Sequence, residues 1–282
     1  MRSIGRLITD PSHSRYGVWQ ALVTILIIVS CVSLALETVS GLEQRFQHAF
    51  MVLEAVSVAV FTIDYLAHVL LAERRLKYAL SFWGLVDLLS ILPSYLMLLN
   101  LTALRGTKVL RLIRVARVLR VLKLVRVAVD DSDARKNPIV ANLNIYFILF
   151  FSVLMISSTA MYFVEGSLYS PDSLKVGQEL VDAATPASQT PEKFVPVDPI
   201  SGNAIPEDKR FYTSIPAAMW WSVVTMTSTG YGDMFPVTVG GRLVGGVTMI
   251  FGLVLFAILF NVIGKTLMVV LFGEKISSSE DD

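Results

Sequence analysis

Two runs of residues in this chain have the types and spacing for chemistry with ions. Arg105, Lys108, Arg111, Arg114, Arg117, Arg120, Lys123 and Arg126 recur at every third place, and the positions between them are almost all Val, Leu, Ile or Ala. Further along, Thr225-Met-Thr-Ser-Thr-Gly-Tyr-Gly-Asp233 is a short stretch rich in hydroxyls and glycine. The first run sets fixed positive charge inside an apolar segment, where an electric field would pull on it. The second offers backbone carbonyls and hydroxyls that could hold a bare cation.

An arginine at the centre of a bilayer costs about 2.5–3.5 kcal/mol on insertion scales, so a run of them in one span needs a reason. An amphipathic helix lying on the membrane surface is one reading. A polybasic patch for anionic lipids is another. The spacing argues against both. A helix turns about 100° per residue, so each step of three falls about 60° short of a full turn and the charges spiral round the axis. Such a spiral suits a helix that slides past fixed counter-charges, each cation replacing the one before. A local 3₁₀ stretch would straighten the spiral into one stripe. Glu54 and Asp64 in the second apolar segment and Asp87 in the third are the expected counter-charges, each costly if unpaired. They would equally neutralise the cations at rest and hold the fold together. One charge crossing 100 mV yields about 2.3 kcal/mol, so three or four in each of four subunits give roughly 30 kcal/mol.

In the second run, Gly230 and Gly232 supply backbone conformations closed to residues with a Cβ. Four copies of such a loop would point carbonyls at a common axis in place of an ion's hydration shell. Gly-Tyr-Gly alone is weak, and is more often an ordinary turn. Here it follows a short apolar helix, Ser214 to Thr225, whose negative C-terminal end would face the cation. One chain supplies one loop, so closing the ring requires a fourfold-symmetric tetramer.

Six apolar segments are long enough to cross a bilayer: Gly17 to Leu36, Phe46 to Leu71, Leu80 to Leu99 with Pro93 near its outer end, Leu104 to Val127, Ile139 to Val164 and Leu243 to Phe272. The expected class is therefore an all-α membrane protein: a four-helix voltage sensor plus a two-helix re-entrant pore domain, tetrameric. The sensor is expected over residues 17–127, a linker over 128–138 and the pore over 139–272, with 1–16 and 273–282 as short ends. Within the pore domain, 166–210 reads as an irregular external turret lacking apolar periodicity, 214–225 as the pore helix and 228–232 as the filter. The turret's mildly acidic balance would concentrate cations, or the segment is simply a solvated loop. Arg2, Arg6, Arg15, Arg74, Arg75, Lys77, Lys265 and Lys275 lie on one side of the spans. That places both termini in the cytoplasm of a multi-pass protein of the cell membrane.

Of the 282 residues, 54% are apolar and 17% charged, and net charge is +1. The total suggests no nucleic-acid partner. Cys31 is the single cysteine, so the chain has no disulfide framework. The first span is too long for a signal-peptide core and reads as retained. No phosphate-binding glycine motif is present, and His13, His48 and His68 lack metal-ligand spacing. Neither an enzyme, an organic cofactor nor a small-molecule ligand is expected.

Ser214-Ile-Pro-Ala-Ala-Met-Trp-Trp-Ser-Val-Val-Thr-Met-Thr-Ser-Thr-Gly-Tyr-Gly-Asp-Met-Phe-Pro-Val-Thr-Val-Gly-Gly241, with the ladder, resembles the six-span voltage-gated potassium channels. The resemblance implies that Ser228, Thr229, Gly230, Tyr231 and Gly232 line the conduction path, with potassium held at the first four. It implies that Trp220 and Asp233 hydrogen-bond behind the filter, beside Trp221, although aromatic packing alone would also account for the tryptophans. Phe61 and Asp64, with Asp87, resemble that family's charge-transfer centre, and Glu54 its outer acidic cluster. Arg111, Arg114, Arg117 and Arg120 match the main gating arginines. Gly252 stands at the family's inner-helix hinge or makes a close-packing contact, and Leu259-Phe260-Asn261 replaces the family's Pro-x-Pro bend. Ser228 and Thr229 also depart from the family, and the Thr229 hydroxyl needs a partner. The acidic link from Ala128 to Pro138 lacks the usual amphipathic helix, favouring a sensor packed on its own subunit's pore. The resemblance implies a homotetramer among membrane lipids that conducts potassium. The rival readings are a weakly selective cation channel of hyperpolarisation- or nucleotide-gated type and a non-conducting modulatory subunit.

Overall fold

The computed structural model describes residues 16–72, 74–98, 116–132, 138–186 and 189–272. Arg105, Lys108, Arg111, Arg114 and the tail 273–282 lie outside them. Among the described residues the regular structure is helical, apart from one isolated antiparallel bridge between Val197 and Ala204. The helices are α1 (Tyr16–Leu36), α2 (Leu42–Leu71), the short α3 (Arg75–Ala79), α4 (Phe82–Leu98), α5 (Val121–Ser132), α6 (Pro138–Val164), α7 (Pro171–Ala184), α8 (Ile215–Met226) and α9 (Val239–Phe272). By length and composition α1, α2, α6 and α9 suffice to cross a membrane, whereas α4 and α8 are shorter apolar helices.

Local chemistry explains the boundaries. Helix α2 begins four residues ahead of the expected span, and Phe46 marks the join with a non-helical φ of −117° and ψ of 19°. Pro138 opens α6, where its missing N–H costs nothing. Ser214 caps α8 by accepting a bond from the Ala217 N–H at 3.3 Å, with Pro216 in the first turn. The basic segment passes from a 3₁₀ turn, Arg117–Arg120, straight into α5, which continues past Val127 to Ser132. The link is thus entered as a continuation of the ladder helix.

The turret corrects the sequence reading. It is not irregular: it holds a 3₁₀ turn (Gly166–Tyr169), the fourteen-residue α7 and the Val197–Ala204 bridge. Ser170 caps α7 and Pro171 starts it. Leu174, Gly177, Gln178 and Val181 form its inner face, a helical period too sparse in large apolar residues to stand out. Gly177 is required there, because a Cβ would lie 2.3 Å from the Phe194 ring.

The main core joins sensor and pore within one chain. Val23, Ile27 and Cys31 of α1, Phe61 of α2, Ile91 of α4 and Val118, Val121 and Leu124 of the ladder pack with Met155 of α6 and Ile215 of α8. Just past the end of α1, Thr38 Oγ1 accepts from the Ile215 N–H at 2.8 Å. Helix α9 differs from the rest. Leu243, Ile250, Leu253 and Phe260 are each more than 60% exposed on the single chain, an apolar surface that only lipid or further copies can cover.

Candidate charge ladder and cation pathway

The described cations of the ladder, Arg117, Arg120, Lys123 and Arg126, each meet carboxylates from outside their own helix. Arg117 donates to Glu37 Oε2 at 2.9 Å and lies 3.5 Å from Glu54. Arg120, 1% exposed, has all five N–H donors engaged. Two go to Glu54, at 2.6 and 2.8 Å, and the others to Ser30, Ser94 and the Ser90 carbonyl. Ser94 also donates to Glu54. Lys123 sits between Asp64 at 2.5 Å and Asp87 at 3.0 Å. Arg126 reaches Asp87 Oδ2 at 3.0 Å and donates to the Tyr78 hydroxyl at 2.8 Å.

Phe61 divides this series. Its ring is fully buried and lies 5.6 Å from both the Arg120 guanidinium and the Lys123 ammonium. Glu54 lies two turns before it and Asp64 one turn after it on α2, so Arg117 and Arg120 pair with acid on one side of the ring and Lys123 and Arg126 on the other. The 3₁₀ turn aligns Arg117 with Arg120, which lets both face Glu54. Sequence reasoning named Glu54, Phe61, Asp64 and Asp87, and the structure brings these four together. It missed Glu37, Trp19, which donates to Asp64 Oδ1 at 2.8 Å, and Tyr78, which donates to Asp87 at 3.0 Å. Glu37 directly follows an apolar span, and that position was the available signal.

At the second site, α8 delivers the loop. Positive φ falls at Ser228 (56°), Gly230 (59°) and Gly232 (77°), and at no residue between them. Alternating hands turn successive carbonyls to the same side, the arrangement that carbonyl coordination of a cation demands. Ser228 holds the left-handed conformation without being glycine, a strained state costing on the order of 1–3 kcal/mol. The Thr229 hydroxyl meets the Thr227 hydroxyl at 2.8 Å, which supplies its partner. Trp220 Nε1 donates to Asp233 Oδ2 at 2.8 Å and its ring stacks on Tyr231. Trp221 is buried edge-on against Tyr212. A Cβ on Gly252 would lie 2.8 Å from the Met226 backbone, so this glycine admits α9 to the end of the pore helix. Asn261 is exposed on the single chain.

Two further carboxylates hold the turn that leads into α9. Glu165, fully buried at the end of α6, accepts from the N–H groups of Val237 and Thr238 and from the Thr238 hydroxyl at 2.7 Å. Asp198 of the turret accepts from the Val239 N–H at 3.2 Å and from the Ser201 hydroxyl at 2.5 Å. The Ser201 hydroxyl and the N–H groups of Ile200, Val239 and Ser201 hold its carboxyl below the usual aspartate range, against the opposing effect of burial.

Residues 16–275 match the family model described as ion transport protein. A Rhodopseudomonas palustris protein, provisionally named a potassium channel protein, is 24% identical over 89% of this chain and 54% of its own length. The human voltage-gated potassium channel regulatory subunit KCNF1 is 27% identical over 83% of this chain and 43% of its own. The human regulatory subunit KCNG3 is 57% identical over 47 residues, 17% of this chain and 11% of its own. The chain thus spans about half the length of the curated relatives that it matches along most of its own. With all but its ends covered, the chain belongs to the ion transport protein family, where its relatives are, by name, potassium channel proteins.

Proposed function

We propose that this chain is the pore-forming, voltage-sensing subunit of a potassium-selective channel, working as a homotetramer in the cell membrane with both termini cytoplasmic. The observation that carries the reading is the alternating backbone of Ser228–Gly232, hung from a capped helix in the same chain as a paired ladder of cations. Four copies about an axis hold dehydrated potassium at Ser228, Thr229, Gly230 and Tyr231. The exposed face of α9 and the exposed Trp220 and Tyr231 become subunit contacts. Depolarisation drives the ladder outward past Phe61, with Arg105, Lys108, Arg111 and Arg114 in the same series. With Lys123 already between Asp64 and Asp87 and two arginines beyond the ring, the arrangement is that of a sensor moved outward. Its motion passes through α5 to α6 and α9 of the same chain, where Gly252 and Asn261 lie on the inner-helix path.

Purified protein in planar bilayers tests this. Homomers should pass a voltage-dependent current that reverses near the potassium equilibrium potential. A reversal midway between the potassium and sodium values would defeat the selectivity claim. A second reading, a non-conducting modulatory subunit, is favoured by the names of KCNF1 and KCNG3. Current from the homomer excludes it, and silence rescued by a conducting partner would establish it.

A further inference from the structure

The corner between α2 and α4 carries cations that the ladder does not use. Arg74, Lys77, Tyr78 and Ser81 line a shallow open cavity of about 580 Å³. Among the described residues no carboxylate pairs with Arg74, Arg75 or Lys77, and all three are exposed. Interleaved with them, Leu76, Leu80 and Phe82 are 79%, 74% and 68% exposed. A corner in water would not present three large apolar side chains beside three unpaired cations. At a membrane interface the two sets suit the two ends of one molecule.

We propose that this corner is a binding site for an anionic phospholipid of the cytoplasmic leaflet. The phosphate seats between Arg74 and Lys77, and the acyl chains cover Leu76, Leu80 and Phe82. Charge complementarity selects an anionic over a zwitterionic lipid, since each basic residue near the surface attracts it. Placement on the cytoplasmic side rests on the orientation proposed above.

The site also reaches the sensor. Tyr78 forms part of the cavity wall, and its hydroxyl joins Asp87 to Arg126, while its ring lies 5.8 Å from the Arg126 guanidinium. A phosphate in the cavity adds negative charge at the inner end of the ladder. It attracts the cations inward and moves activation to more depolarised voltages.

The test uses the whole chain as it assembles in membranes and the double variant R74Q/K77Q, whose changes fall on exposed side chains. Both are extracted from vesicles of phosphatidylcholine with a minor share of phosphatidylglycerol, and the retained lipid is measured by native mass spectrometry. Wild type should retain phosphatidylglycerol in preference to phosphatidylcholine, and the double variant should lose that preference by on the order of tenfold. The control R45Q, at the other end of α2, should retain it in full. Equal retention by wild type and R74Q/K77Q overturns the site. Displacement of the lipid by inorganic phosphate in solution overturns the choice of a lipid as occupant. In bilayers, phosphatidylglycerol should shift the wild-type midpoint to depolarised voltages more than that of R74Q/K77Q. A protein that passes no current refutes the channel reading instead, because lipid retention is measured without current.

Discussion

The charge ladder and the turn into α9 both enclose carboxylates, but they satisfy them in opposite ways. In the sensor, Glu54, Asp64 and Asp87 face side-chain cations that come in a repeat of three. At the turn into α9, Glu165 and Asp198 face backbone N–H groups of Val237, Thr238 and Val239. A repeated cation can be replaced by the next in its series, so the acids in the sensor fit several positions of one helix. A backbone amide at the start of α9 has no equivalent one step away. The first arrangement allows sliding between alternatives, and the second locks one geometry at the start of α9.

Several changes break or sharpen this contrast. The largest effect is expected from Asp87→Ala, which strips Lys123 and Arg126 of a shared buried partner. Losing one member of a buried ion pair costs about 3–5 kcal/mol, and thermal unfolding in detergent should show a matching loss of stability. Glu165→Ala comes next. It strands buried donors on Val237 and Thr238, each worth about 1–3 kcal/mol, and Glu165→Gln, which keeps one oxygen, should recover part of the loss. If Glu165→Ala left both thermal stability and amide protection at residues 237 and 238 unchanged, the lock would not exist.

Neutralising Arg117 and Arg120 together should lower the steepness of the conductance–voltage relation, because fewer charges then cross the field. An unchanged slope would remove the sliding half of the comparison. Trp19→Phe, which deletes one neutral donor to Asp64, should cost only about 1 kcal/mol, visible as a small drop in melting temperature.

The smallest effect concerns acidity. A carboxylate whose folded pKa is depressed contributes stability above its unfolded value and loses it as pH falls through the folded one. The Asp198 tie should therefore hold unchanged from pH 7 to pH 5 and release only below the ordinary aspartate range. A spin label at position 200, introduced as Ile200→Cys, should keep the same mobility across that interval. Loosening near pH 5 would show that the Ser201 and Val239 contacts do not govern the carboxyl.

The basic repeat and the glycine-containing loop after the short apolar helix stood out in the sequence because membrane burial makes polar residues conspicuous. Eight cations at a fixed interval, three acids inside apolar spans, and Gly-Tyr-Gly after a short apolar helix each stand out against hydrocarbon. The bounds of α1, α2, α6 and α9 followed for the same reason, with α2 and α9 each beginning four residues earlier than expected, whereas the third expected span is the shorter α4 and most of the fourth lies outside the described residues. The turret escaped because it lies outside the apolar spans. There a short helix needs only a sparse inner face, and Gly177 packs by lacking a side chain altogether.

The chain's own order of residues determined which charges exist, their repeat and the glycines that permit a carbonyl-lined loop. Tertiary structure alone decided which cation meets which acid, since a ladder with period three fits its partners at several offsets and only packing selects one. It also brought Glu37 to Arg117 of the ladder, 80 residues away, and made Glu165 and Asp198 structural acids, because the backbone amides that they accept from lie 72 and 41 residues away along the chain. No local pattern encodes a backbone amide brought to a carboxylate from that distance.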